Sequence, residues 1–283
     1  MSTSKRQRQK AGRQARLEAA RLAQQRAKRN RTIRNIAIAG VLLVGAAFLF
    51  ATLGRDDDKT VSAGDASTTT GSTDTSVPTT TGPFTYGTGA CPAADGSSPA
   101  TLTFTDAPMQ CIDPAKTYTA VFHTSEGDVT VGLDTTTSPG TTNNFVTLAR
   151  YHYYDNSQLF RTDTSIGIIQ GGGPTTNSPS DPGPGYTIPD EASGFTYAAG
   201  DLVMARTQEP NSSGGQFFFA ASDAVSALDS QGTYLKFGHV STGLDVLQAI
   251  LALNVDDPSS GLGGHPSRTV TVSSIEIQEL PAS

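Results

Sequence analysis

The residues from Gly200 to Ala220 read Gly-Asp-Leu-Val-Met-Ala-Arg-Thr-Gln-Glu-Pro-Asn-Ser-Ser-Gly-Gly-Gln-Phe-Phe-Phe-Ala. Two short apolar runs, Leu202–Ala205 and Gln216–Ala220, flank a segment of turn formers. A run of about four to eight apolar residues bounded by Pro, Asn and Gly reads as a buried strand, because a helix needs roughly ten or more to make a face.

The same pattern extends outward in both directions. Tyr118 to His123 alternates, Glu126-Gly127-Asp128 turns, and Val129 to Leu133 alternates again, which predicts a hairpin. Further strand-like runs are Gly167–Ile169, Leu235–Val240 and Thr269–Ile277. Two segments carry helical spacing instead. Thr142 to Arg150 puts Phe145 and Leu148 on one face, and Ser241 to Leu253 carries a stripe of Leu244, Leu247, Ile250 and Leu251. Many short strands, two helices and abundant Gly/Pro turns predict a mainly-β fold, a closed antiparallel barrel spanning 116–283. There is no internal repeat.

Upstream the composition breaks sharply. The first 34 residues hold twelve of the 20 Lys and Arg residues, with Glu18 their only acid, and the rest of the chain holds eight basic and 25 acidic residues. Between these parts Asn35 to Gly54 has no charge and is dominated by Ile, Val, Leu, Ala and Phe. About 20 such residues suffice for a helix to cross the hydrocarbon core of a bilayer. Arg31 and Arg34 precede the run and Arg55-Asp56-Asp57-Asp58 follow it. Basic flanks stay in the cytoplasm, so the reading is a single-pass cell-membrane protein with segment 1–34 inside and its C-terminal part outside. The alternative is a cleaved signal peptide, against which stand the length of the apolar run and of its leader. The basic segment would contact anionic lipid and fix topology rather than bind nucleic acid.

Residues 55–88 are rich in Thr, Ser, Gly and Asp and are expected to form a tether without a core. A lead-in, 89–115, holds the two cysteines, Cys91 and Cys111. Both fall on the outer side of the expected span, in an oxidising compartment, and are expected to pair; the alternative is two free buried thiols. The four His residues make no metal-ligand spacing with them, so no metal is expected.

Familiar catalytic signatures are absent. There is no phosphate loop, dinucleotide glycine fingerprint, His-Glu-x-x-His or Gly-x-Ser-x-Gly. Only Arg150, Arg161 and Arg206 are basic between Tyr118 and Leu235, which speaks against nucleic acid as a partner of the outer part. What stands out is an ordered series: Phe160-Arg161, Ile169-Gln170-Gly171-Gly172, Pro184-Gly185-Tyr186 leading to Asp190-Glu191, Met204-Ala205, Gln216-Phe217-Phe218, Leu228-Asp229, and Tyr234-Leu235-Lys236-Phe237-Gly238-His239-Val240.

In this order and spacing the series, over roughly Tyr118 to Ile277, resembles a cyclophilin-type peptidyl-prolyl cis-trans isomerase in a bacterial membrane-anchored form. The resemblance implies an eight-stranded antiparallel barrel capped by two helices, with a groove on its outer face for X-Pro segments of polypeptides, and no cofactor. It implies Arg161 as the catalytic arginine and Gln170 as the glutamine that holds the substrate backbone. It places Met204 and Ala205 beside the proline pocket, Gln216 in the groove, Phe218 on the pocket floor and Leu228 in its apolar wall. Tyr234 falls where many members have His.

The departures are Leu159-Phe160-Arg161 for Phe-His-Arg, one extra residue between Arg161 and Gln170, Gly173 for Asp, Arg206 for Asn, and Ala227 where some members have Trp. Read without the series, Arg161 is a surface arginine in an ion pair, Gln170 and Gln216 are strand-end amides, and Phe218 is core. Two functions stay open: an isomerase acting on exported or surface proteins, and a proline-binding module of the same fold without turnover.

Overall fold

The computed structural model describes residues 79–80 and 83–281. The basic segment 1–34, the expected span 35–54 and most of the tether lie outside these residues. Among the described residues no helix is long and apolar enough to cross a membrane.

The elements, in chain order, are β1 (Thr79–Thr80), β2 (Thr117–Thr124), β3 (Gly127–Leu133), α1 (Pro139–Arg150), β4 (Ser157–Gln158), β5 (Arg161–Asp163), β6 (Ile168–Gly171), β7 (Ala192–Ser193), β8 (Asp201–Met204), β9 (Phe217–Ala220), a 3₁₀ turn (Asp223–Leu228), β10 (Lys236–Thr242), α2 (Leu244–Ala252), β11 (Asn254–Asp256), β12 (Gly264–Pro266) and β13 (Thr271–Leu280). β1 pairs with β7 alone; the other strands form one antiparallel sheet in the order β11-β12-β5-β6-β9-β8-β10-β3-β2-β13-β4. Only Leu159 and Phe160 separate β4 from β5, yet β4 pairs with β13 and β5 pairs with β6. One short segment therefore meets both reaches of the sheet, which wraps round its core.

That core is aromatic. Phe122, Phe145, Phe217, Phe219 and Phe237 are fully buried and in mutual ring contact, with centroids 4.9 Å apart for Phe122–Phe219 and 5.1 Å for Phe145–Phe237. The alternation read in the first hairpin supplies the inward residues, since Tyr118, Ala120, Phe122, Val129 and Val131 are all buried.

Helix α1 starts at Pro139, three residues before the expected Thr142. Ser138 gives no side-chain cap. The carboxylate of Glu191 caps instead, accepting from the Gly140 and Thr141 N–H groups at 2.8 and 2.7 Å. A carboxylate there satisfies orphan donors and complements the helix dipole. Burial nevertheless pushes the Glu191 carboxyl up from its ordinary value, against those hydrogen bonds. Helix α2 starts later than expected, because Ser241 and Thr242 belong to β10, with Thr242 opposite Thr130 of β3. Gly243, at φ +92°, makes the turn between them.

The folded region begins earlier than composition suggests. Residues 83–88, read as the end of the tether, are packed down. The Phe84 ring lies where a side chain on Gly140 would fall, and Gly87 N–H donates to Pro108 O at 3.1 Å. Two aromatic side chains, Phe84 and Tyr86, 5.0 Å apart, anchor a stretch whose average composition is that of a linker. Cys91 and Cys111 are joined in a disulfide, with Cα atoms 5.3 Å apart.

Candidate active site

The sheet register builds the site. Arg161 on β5 lies opposite Gln170 on β6, Gln170 lies opposite Phe218 on β9, and Phe218 lies opposite Val203 on β8. Residues directly opposite on paired strands share a face. Arg161, Gln170 and Phe218 thus stand in one row across the outer face, and Phe217 and Phe219, one step along, point into the core.

A groove of about 390 Å³ runs over this row. Of the residues singled out from sequence, it brings together Arg161, Gln170, Ala205, Gln216, Phe218, Leu228 and Tyr234. Met204 is the exception. It lies opposite Phe217, is fully buried, and faces the core rather than the groove. Its neighbour Ala205 takes the groove position, held by its N–H to Gln216 O at 2.9 Å.

The guanidinium of Arg161 is fixed on three sides. Nε donates to Leu262 O, Nη1 to Gln170 Oε1 at 2.7 Å, and Nη2 to Asp163 Oδ2 at 3.3 Å. Five N–H donors minus these three leave two that can meet a ligand. Burial lowers the Arg161 pKa, opposed by the Asp163 charge; a guanidinium stays protonated regardless. Because arginine only donates, Gln170 must present its oxygen to it. Gln170 then donates its own amide N–H to Gln216 Oε1 at 2.8 Å, and Gln216 donates to Pro179 O at 3.3 Å. The polar line has one direction, set by its cationic end.

Beside this line the groove turns apolar. Phe218 is 3% exposed and meets Tyr234 edge-on at 5.7 Å, with Leu228 on the 3₁₀ turn completing the wall. Tyr234 is set by a residue that sequence reasoning missed. The Tyr197 hydroxyl donates to Tyr234 O and accepts from Tyr234 N–H, both at 2.9 Å. The extra residue after Arg161 is absorbed in the turn between β5 and β6, where Gly167 adopts φ +65°. The Arg161–Gln170 register is kept, and Ile166 and Ile168 both line the groove.

Arg206 lines the groove too, but its guanidinium is spent on structure. It donates to Glu209 O at 2.7 Å and Thr233 O at 3.0 Å, and pairs with Asp190 at 3.1 Å. Leu262, on the β11–β12 connection, and the wall residues Pro179 and Pro182 were also missed, and Pro184 and Tyr186, quoted in the series, were given no role in the groove. Backbone carbonyls leave no sequence signal, and loop prolines are read first as turns.

Residues 119–277 match the family model of cyclophilin type peptidyl-prolyl cis-trans isomerases. The chain belongs to this family. It is 32% identical over 163 residues to the peptidyl-prolyl cis-trans isomerase of Acinetobacter baylyi, covering 56% of this chain and 84% of that one. It is 32% identical over 168 residues to peptidyl-prolyl cis-trans isomerase B of Escherichia coli, covering 56% and 98%. With peptidyl-prolyl cis-trans isomerase-like 4 of Cryptococcus neoformans it shares 30% over 178 residues, 57% of this chain but 34% of that longer protein. The chain thus spans about a third of the length of the Cryptococcus relative. The cyclophilin match leaves the lead-in 89–115, and the packed residues 83–88 before it, outside.

Proposed function

We propose that this cyclophilin domain, an antiparallel sheet wrapped round an aromatic core with two helices, catalyses cis-trans isomerisation of X-Pro bonds in exported or surface proteins. It is held outside the cell membrane by one uncleaved helix with the N-terminus in the cytoplasm. The observation that carries the activity is Arg161, pinned by three partners with two donors left over, beside an apolar pocket floored by Phe218.

Rotating an X-Pro bond must overcome a barrier of ~18–20 kcal/mol, because the amide loses its resonance. No covalent intermediate and no cofactor are needed. In the twisted amide the nitrogen becomes pyramidal and exposes a lone pair, to which Arg161 donates. Gln170 and Gln216 hold the substrate backbone, while Phe218, Leu228, Ala205 and Tyr234 grip the proline ring. The donor is aimed at a group that exists only in the transition state, so it lowers the barrier rather than tightening ground-state binding.

The export assignment rests on sequence: the charged flanks and the uncharged run Asn35–Gly54, together with a disulfide in the outer part. A protease-coupled isomerisation assay on a short X-Pro peptide, with the full chain in mild detergent, tests the activity. Acceleration is expected, and peptide binding without acceleration would favour the binding module. N-terminal sequencing of the membrane-extracted protein tests the anchor; a start beyond Gly54 would mean a secreted enzyme.

A further inference from the structure

The lead-in is outside the family match, yet it packs against residues that form a wall of the groove. Its chain runs over Tyr151, whose O accepts from Thr101 N–H at 2.9 Å, and reaches the wall at Phe104. The Phe104 ring packs on Tyr151 at 5.2 Å and on Tyr186 at 6.1 Å, and its N–H donates to Pro184 O at 2.8 Å. Between the two wall residues Gly185 adopts φ +96°, and a Cβ there would fall 2.6 Å from Phe104 O. The backbones therefore approach too closely for any larger residue.

From the other side the wall leans on the loop that leads through Gln216 into β9. A Cβ on Gly214 would meet Tyr186 O at 3.2 Å and the Pro184 ring at 3.4 Å. The lead-in is fastened at both ends. The Cys91–Cys111 disulfide closes it, and Asn143 of α1 clasps it, accepting from Cys111 N–H at 2.6 Å and donating to Met109 O at 2.9 Å. The adjacent Asn144 accepts from the Tyr186 hydroxyl at 2.8 Å. Two consecutive residues of one helix thus hold the strap and the wall in register.

We infer that segment 84–111 is a disulfide-closed strap that positions one wall of the groove, with Phe104 as the positioning residue that sets Pro184 and Tyr186 for the bound polypeptide. The inference rests on the proposed isomerase reading. Arg161 and Gln170 stand on β5 and β6 and make none of these contacts, so the strap governs affinity and leaves the chemical step alone.

The test is Phe104→Ala in the full chain, with KM, kcat and peptide Kd measured beside wild type. KM and Kd are expected to rise roughly three- to tenfold, the scale of one lost aromatic contact, with kcat within about twofold, the signature of lost uniform binding. Phe104→Leu should recover most of the loss. Unchanged KM and Kd, or a fall in kcat alone, overturn the strap and leave the isomerase reading standing. An inactive wild type that still binds peptide sinks the isomerase reading, and the strap is then judged on Kd. A wild type that binds no X-Pro peptide sinks both. If Phe104→Ala fails to fold, wild type with its disulfide reduced is measured in the same way: raised KM and Kd support the strap, and unchanged values overturn it.

Discussion

Arg161→Ala removes three hydrogen bonds and the two donors left over for substrate. Its effects on stability and on turnover should separate. The side chain is 16% exposed and its ion-pair partner Asp163 is 12% exposed. The pair's loss is cushioned, because Asp163 keeps hydrogen bonds from Ser165 N and Ser165 Oγ at 3.0 and 2.6 Å. The stability cost should therefore be about 1–2 kcal/mol, mostly from Gln170 Oε1 and Leu262 O losing their donor. Turnover should fall much further, by ~2.7–4 kcal/mol or about 10²–10³ in kcat, the scale for one donor aimed at a transition state. Arg161→Lys should recover little. A single ammonium cannot reach Leu262 O, Gln170 Oε1 and Asp163 Oδ2 and still face the groove, as the planar fork does. Peptide Kd should change far less than kcat, because the nitrogen of a planar amide accepts no hydrogen bond. The assay is coupled isomerisation with circular dichroism and peptide binding on the same samples. Retention of more than about half of wild-type kcat in a folded Arg161→Ala protein would refute the catalytic role.

Three further expectations concern other parts of the chain. Thiol titration of the native protein should find no free cysteine, and Cys91→Ser with Cys111→Ser should lower stability by roughly 3 kcal/mol in the chain-entropy view; two reactive thiols in native protein would contradict the pairing. Cyclosporin should bind weakly, because Ala227 is exposed on the 3₁₀ turn and supplies neither the donor nor the apolar face that Trp gives in other family members; nanomolar inhibition would contradict this. His152 lies between two acceptors, Gly96 O at 2.7 Å and the Asp155 carboxylate at 2.9 Å, so it is fully bonded only as the imidazolium, and the Gly96 carbonyl, followed by Asp155, raises its pKa. A raised folded-state pKa contributes stability that is complete below about pH 6.5 and lost as pH rises through the folded value. The Tm gap between wild type and His152→Asn should therefore be larger at about pH 5.5 than at about pH 8.5, and the reverse trend would refute the doubly bonded imidazolium.

The mainly-β antiparallel fold was legible because its signals are local, whereas the expected closed eight-stranded barrel is, among the described residues, an eleven-stranded sheet whose end strands do not pair. Alternation in Tyr118–His123 and Val129–Leu133, and the short Phe-rich run at Gln216–Ala220, report burial within a few residues. The start of α1 was not legible, since its cap is a carboxylate about fifty positions away. Met204 shows a finer limit. Adjacent strand residues face opposite ways, so a run such as Met204-Ala205 names a place in the chain without saying which member looks into the groove. The structured residues 83–88 were hidden by averaging, because two aromatic side chains decide what the surrounding Thr and Gly do not. Leu262 acts through its carbonyl, which every residue has. The β11–β12 hairpin, with Asp257-Pro258-Ser259-Ser260 in its loop, looks like linker until the strands on either side of it are seen to pair.

The row Arg161–Gln170–Phe218 has a consequence for assembly. Sheet pairing can err by sliding one residue, and such a slip turns every side chain of the strand to the opposite face. A slipped β5 would drive a guanidinium to the buried side held by Thr162 opposite Ile169, and a slipped β6 would bury the Gln170 amide away from its partners. A buried charge without compensation costs several kcal/mol. The groups that face the groove thus act as markers of correct strand alignment, penalising off-register intermediates before any ligand is met. Recovery of turnover during refolding would then report the sheet's alignment as well as its compactness.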